Sequence, residues 1–244
     1  MRILVIGDPP GDLKKIQKIP LKKADLILLT GDLGKADLAR KRAFKNIERK
    51  KEGLPKLKKD KKLDKKITDE INKSTIKILK HLSKYAPVYT IEGNVGVPNL
   101  KRFGKKVSLA KNRLKVVNGI RIGFLEYFID NCWIKEFGSK DKVKIRKAKR
   151  ETEKARRVLR NFGKLDILVC HQPPYGFLDK VKFKAAPKHW HGKHAGSKTI
   201  LDYIKRKQPK YVFCGHIHEG EGKKKIGKTE VYNLGVAGHK IVEF

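Results

Sequence analysis

The chain has 244 residues, enough for one large α/β domain or two small ones, and 39% of them are hydrophobic, enough for a core. Lys and Arg number 61 against 25 Asp and Glu, a formal charge of +36. A field of that sign attracts nucleic acid, phosphorylated metabolites or anionic lipid, and a Lys-rich proteome is the bland source of the same excess. No apolar stretch is long enough to span a membrane, the short N-terminal run lacks a cleavage signal, and the three cysteines (Cys132, Cys170, Cys214) are odd in number and lack metal spacing; together these exclude membrane insertion and point to reduced thiols and a cytoplasmic home.

Taken in order, Ile3-Leu4-Val5-Ile6 reads as a buried strand that ends in the turn residues Gly7-Asp8-Pro9-Pro10-Gly11. Asp12 suits the N-cap of a helix through Leu13, Ile16 and Ile19. A second buried strand, from Asp25 to Thr30, ends in Gly31-Asp32. Residues 35–84 differ: charge dominates, Gly53 and Pro55 divide the stretch, and Leu63, Ile67, Ile71, Ile78 and Leu82 keep a helical stripe. The expectation is a basic helical insertion, folded as a hairpin with its first helix through Ala36, Ala39, Ala43 and Ile47.

Val88 to Ile91 is the third strand, followed by Glu92-Gly93-Asn94-Val95. Leu114–Val117 and Ile120–Leu125 flank Asn118-Gly119, a hairpin signal. Ile145, Ala148, Ala155, Leu159 and Phe162 predict an amphipathic helix over 140–162 with a dense basic outer face. Asp166 to Cys170 is a strand ending in His171; the following loop carries His189, His191 and His194 around Trp190; Ser197 caps a helix to Lys207. Tyr211 to Cys214 is a buried strand that runs into Gly215-His216-Ile217-His218, and two alternating strands, 229–234 and 240–244, follow. No internal repeat or splitting linker is visible, so residues 1–244 are expected to form a single domain.

Five strands thus end in ligand-competent side chains: Asp8, Asp32, Asn94, His171 and the His216/His218 pair. One polar strand end means nothing, but carboxylates and imidazoles gathered at carboxyl ends, each near a Gly or Pro, point to a metal centre. Oxygen and imidazole donors without thiolate suit Mn, Fe, Zn or Co better than a structural zinc.

The order resembles the calcineurin-like metallophosphoesterase superfamily, whose pattern runs Asp-x-His, Gly-Asp, Gly-Asn-His, a lone His, then Gly-His-x-His. The matching stretches here are Asp8-Pro9-Pro10, Gly31-Asp32, Gly93-Asn94-Val95, Cys170-His171 and Gly215-His216-Ile217-His218. The half from His171 onward looks most like predicted archaeal phosphoesterases of that superfamily. The resemblance implies a four-layer α/β-β/α sandwich of two mixed sheets with flanking helices. It also implies one or two divalent metals: Asp32 would bridge, Asn94, His171 and His216 would complete one site, and Asp8 and His218 would serve the other. Two such metals would acidify a bridging water and clamp the phosphoryl oxygens of a phosphomonoester or phosphodiester. Pro10 replaces the first-motif His and Val95 the Gly-Asn-His histidine, which leaves one metal short of a ligand and the general acid unassigned. Extra water, Asp12 or a His of the loop could make up the first deficit, and His194 is the loop residue expected to touch substrate phosphate. The competing reading is a catalytically impaired metal-binding scaffold, for which the superfamily's retromer subunit is a precedent, or a nucleic-acid-associated module working through the basic helices.

Overall fold

The computed structural model describes residues 1–184 and 186–244. Its two central strands, β1 (Arg2–Ile6) and β2 (Leu26–Leu29), are apolar on both faces and therefore need cover on both. They lie parallel, with Ile6 opposite Leu29. β3 (Val88–Thr90) and β4 (Val107–Leu109) extend the sheet in parallel, and β11 (His239–Glu243) closes its other edge antiparallel to β1, giving the order β11-β1-β2-β3-β4. The second sheet has the order β5-β6-β7-β8-β10-β9, built from β5 (Arg113–Val117), β6 (Ile120–Leu125), β7 (Ile167–Cys170), β8 (Tyr211–Cys214), β9 (Gly222–Ile226) and β10 (Thr229–Asn233). Its four middle strands are parallel, and the edges β5 and β9 are antiparallel hairpin partners of their neighbours.

Side chains alternate along a strand, so each strand splits its apolar residues between two layers. Ile3, Val5, Leu26 and Leu28 face Ile122, Phe124, Ile167, Val169 and Phe213, which forms the seam between the sheets. Leu4, Ile6, Ile27 and Leu29 turn outward onto Ile16 of α1 (Leu13–Gln17) and onto Ile78, Leu79 and Leu82 of α3 (Lys61–Leu82). On the far side, Leu168, Cys170, Val212, Cys214 and Val231 meet α5 (Lys142–Phe162) and α6 (Lys198–Lys207) through Leu159, Phe162, Ile200 and Tyr203. The result is the expected four-layer α/β-β/α sandwich of two mixed sheets.

Residues 35–84 hold α2 (Asp37–Lys51) and α3. α2 has no buried residue, and only the C-terminal half of α3 packs on the sheet. Polar links join the two helices instead: Arg42 pairs with Asp64, and the Leu38 N–H reaches Glu70 Oε2 at 3.4 Å. On the other side of the sandwich, Asp141 caps α5 by accepting the N–H groups of Val143 and Lys144 at 3.0 and 3.1 Å. Three elements go beyond the sequence expectation: β4, β9 and α4 (Cys132–Glu136). The helix expected to reach Ile19 ends at Gln17. All three cysteines are free thiols, with Cys170 and Cys214 buried, and no helix among the described residues is long and apolar enough to cross a membrane.

Candidate metal centre

Because β1, β2, β3, β7 and β8 run parallel within their sheets, the turns after them gather at one rim of the sandwich. Asp8, two residues past β1, is fully buried and ties the two sheets together. Its Oδ1 accepts the Thr30 hydroxyl at 2.7 Å from the first sheet, and its Oδ2 accepts the His216 N–H at 2.6 Å from the second. Asp32 accepts the Val95 N–H on Oδ1 at 2.7 Å and leaves Oδ2 3.6 Å from His171 Nε2. His218 Nε2 lies 3.4 Å from Asp8 Oδ2. Ligand atoms of Asp8, Asp32 and His171 all fall within 4.8 Å of one another.

The backbone is bent to achieve this. Asp32 and His216 both sit in the left-handed region, at φ 44° and 65°, a strain of about 1–3 kcal/mol per residue that tends to mark functional turns. Two glycines are required by close approach. A Cβ on Gly93 would run into the Asp32 carboxylate and come within 2.7 Å of His171 Cε1, and one on Gly215 would run into the Asp8 carboxylate.

Asn94 decides how the site is wired. Its Oδ1 lies 2.9 Å from His171 Nε2 and 2.8 Å from His216 Nδ1. His171 Nδ1 is 2.9 Å from the Thr30 carbonyl, which can only accept, so Nδ1 carries the proton and a neutral ring leaves a lone pair on Nε2. Two lone-pair atoms then face each other beside two buried carboxylates. A positive charge placed among them, whether a proton on Nε2 or a metal ion, is stabilising, so the donor set fits a divalent cation.

The electrostatics point the same way. Burial works to raise the Asp8 pKa, but His171, the hydrogen bonds from His218 and the His216 N–H outweigh it and hold Asp8 below the usual carboxylate range. Burial raises Asp32, the neighbouring Asp8 adds to the rise, and His171 opposes it. Burial, helped by the nearby His171, keeps His216 neutral down to about 3, the form in which imidazole binds metal. Burial disfavours charge on His218 as well, yet its bond to Asp8 and the charge of Asp32 win and raise its pKa, with Arg40 pulling the other way.

The structure therefore brings Asp8, Asp32, Asn94, His171, His216 and His218 to one rim. Asp12 is not part of the group, because its carboxylate caps α1 by accepting the Lys15 N–H at 3.2 Å. The loop histidines are engaged within their own loop or by neighbouring chain. His191 Nε2 donates to the Phe183 carbonyl at 3.0 Å, and His189 packs edge-on against Trp190. His194 Nδ1 sits 2.7 Å from the buried Asp179 and its N–H reaches Glu136 Oε1 at 3.0 Å. Val95 is buried and supplies the centre with its backbone N–H alone.

Sequence reasoning missed the aromatic wall. Tyr127 packs its ring edge-on to His171, with centroids 5.7 Å apart, and 5.5 Å from His216; Trp133 stacks on His216 at 6.0 Å with the planes 13° apart. Both follow the end of β6 in a stretch without periodicity, so no pattern pointed to them. Thr30 was also missed; its signal was a polar residue closing an otherwise apolar strand before Gly31-Asp32.

Comparison with known proteins adds a lineage to this geometry. The profile of the family described as calcineurin-like phosphoesterase matches residues 1–220. Metallophosphoesterase domain-containing protein 1 of Homo sapiens and its Mus musculus counterpart are each 38% identical to the chain over 73 residues, which is 30% of this chain and 20% of those proteins. The matched part is thus a fifth of those relatives' length. Among solved structures, one crystal structure superposes with a TM-score of 0.62 at 15% identity, over 100% of this chain and 98% of the other. The phosphopantetheinyl hydrolase of Mycobacterium tuberculosis superposes with a TM-score of 0.51 at 13% identity, covering 97% and 90%. At such identities these superpositions speak to the fold.

Proposed function

The chain belongs to the calcineurin-like phosphoesterase family, and from that premise we propose that it is a divalent-metal-dependent hydrolase of a phosphomonoester or phosphodiester. One observation carries the reading: two buried carboxylates, the Asn94 amide oxygen and His171 Nε2 converge on a point that a divalent cation would stabilise. Asp8, Asp32, Asn94, His171, His216 and His218 would hold one or two ions of Mn, Fe, Zn or Co. Such ions lower the pKa of water and offset charge on phosphoryl oxygens.

The chain's own groups do the rest. Thr30 fixes both the Asp8 carboxylate and the tautomer of His171, so the donor atoms need no rearrangement to bind. Tyr127 and Trp133 keep water off one side of His171 and His216. Arg40 acts on His218 through its charge, while its guanidinium lies 3.6 Å from Asp37 and 5.9 Å from the Phe183 ring centroid. Asp179 holds His194 Nδ1, leaving Nε2 as the atom free to meet a phosphate oxygen when the ring is protonated. Val95 has no proton to give, so the leaving group takes its proton from water or from this loop.

The test pairs bound metal by elemental analysis with hydrolysis of an aryl phosphodiester in added Mn²⁺. The expected result is bound metal, turnover, and a loss of both in His216→Ala, with metal binding at least about tenfold weaker. Less than one metal per chain with no turnover, unchanged by that substitution, would overturn the enzyme reading. Pro10 and Val95 favour a second reading, a metal-binding scaffold with impaired catalysis. A rise in activity for Pro10→His would identify the missing ligand as the limiting defect.

A further inference from the structure

α5 holds five of the chain's thirteen arginines in 21 of its 244 residues. A general excess of lysine does not explain an arginine concentration on one helix. The buried face of α5 is Ala148, Thr152, Ala155, Leu159 and Phe162. The opposite crest is Arg146, Arg150 and Arg157, exposed and flanked by exposed Lys149, Lys154 and Arg160. The few acids on the helix are committed: Glu153 lies 3.8 and 4.0 Å from Arg156 and Arg160, and Glu151 lies 3.6 Å from Lys147 and accepts the Ile129 N–H. Among the described residues, no carboxylate pairs with Arg146, Arg150 or Arg157.

The chemistry of the crest selects its occupant. At 1.5 Å per residue, Arg146 to Arg157 spans about 16 Å of rigid helix, and a duplex presents a phosphate every ~1.7 Å of its axis. Guanidinium groups take phosphate oxygens in pairs. A single-strand site would need aromatic side chains for base stacking, and the crest has none. A helix lying on a membrane buries its apolar face in lipid, whereas that of α5 is already occupied by the second sheet. A protein partner would call for apolar anchors, and Val143 in the first turn is the exposed one here.

We propose that the outer face of α5 docks the sugar–phosphate backbone of a nucleic-acid duplex, RNA or DNA, without reading its sequence. This surface is independent of the phosphoesterase reading, since none of its residues is placed in the metal centre.

The test is fluorescence anisotropy of the full chain with RNA and DNA duplexes of about 20 base pairs over a NaCl series. It compares R146Q/R150Q/R157Q with K224Q/K225Q/K228Q, which removes equal charge on and beside β9, at the opposite edge of the same sheet from the strands under α5. The α5 triple is expected to weaken binding more than about tenfold near 0.1 M salt and to flatten the slope of log affinity against log salt by about 2–3, while the β9 triple changes affinity less than about threefold. Equal losses in the two triples, no salt-dependent duplex binding by the unaltered chain, or tighter binding to anionic vesicles or an acidic polypeptide would each overturn the proposal. The RNA and DNA arms identify the duplex. Both triples are expected to keep any aryl-phosphodiesterase turnover of the unaltered chain, so an inactive metal centre and an absent docking surface give different results.

Discussion

At the scale of single residues, the candidate metal centre sorts its ionisable groups by neighbourhood. Asp8 and Asp32 are both carboxylates at strand ends, yet hydrogen bonds and imidazoles hold one below the ordinary range while burial raises the other. The histidines divide in the same way. His216 is neutral down to about 3, so it contributes no proton when an ion binds. The pKa of His218 is raised, so in the ion-free chain its ring keeps a proton to higher pH than a free histidine and must release it to become a ligand. Metal affinity should therefore climb with pH through and just above the normal histidine range. Calorimetric Mn²⁺ titrations near pH 6.5 (about the ordinary histidine pKa), in two buffers of different protonation enthalpy, are expected to show proton release that falls in His218→Ala. Binding without proton release in the unaltered chain would remove His218 from the ligand set.

At the scale of elements, α5 is both cover and brace. Its inner face packs on the second sheet, and its side chains grip the loop that carries the aromatic wall. Thr152 Oγ1 accepts the Asn131 N–H at 2.7 Å and Glu151 Oε2 accepts the Ile129 N–H at 2.8 Å. Thr152→Val leaves the Asn131 N–H without its partner. We expect a loss of about 1–3 kcal/mol in urea unfolding, with a shift in the fluorescence of Trp133 as its stack on His216 loosens; unchanged stability and emission would mean that the loop is held elsewhere. This brace also marks the limit of what the sequence discloses. The strands bearing Asp8, Asp32, His171 and His216 were legible because buried parallel strands are short continuous apolar runs, and so was α5, from its stripe of small and apolar residues. β9 was not, because an edge strand bearing Lys223, Lys224 and Lys225 trades the strand pattern for charge that discourages further pairing. β4 has three residues, too few for periodicity. Tyr127 and Trp133 gain their meaning from tertiary contact with histidines far away in the chain.

At the scale of the whole molecule, a charge of +36 is mostly unpaired. Like charges at that density oppose the compact state, and salt screens them within about 10 Å at 0.1 M. Raising NaCl from about 0.02 to 0.3 M is expected to lift the thermal midpoint, by about 2–4 °C per kcal/mol of repulsion relieved; a flat or falling midpoint would mean that the basic surface carries no such strain. The sandwich also divides its motif positions into two kinds. Asp8 receives one hydrogen bond from each sheet, so it is a rivet through the seam as well as a donor atom at the rim. Position 95 serves Asp32 through a backbone N–H that every residue except proline possesses, and position 10 lies outside the bonds that cross the seam. Neither position contributes a side-chain hydrogen bond to the seam, whereas a change at Asp8 puts the joint between the sheets at risk. In a fold jointed this way, the residues at 10 and 95 bear on the rim, while the joint between the sheets rests on Asp8.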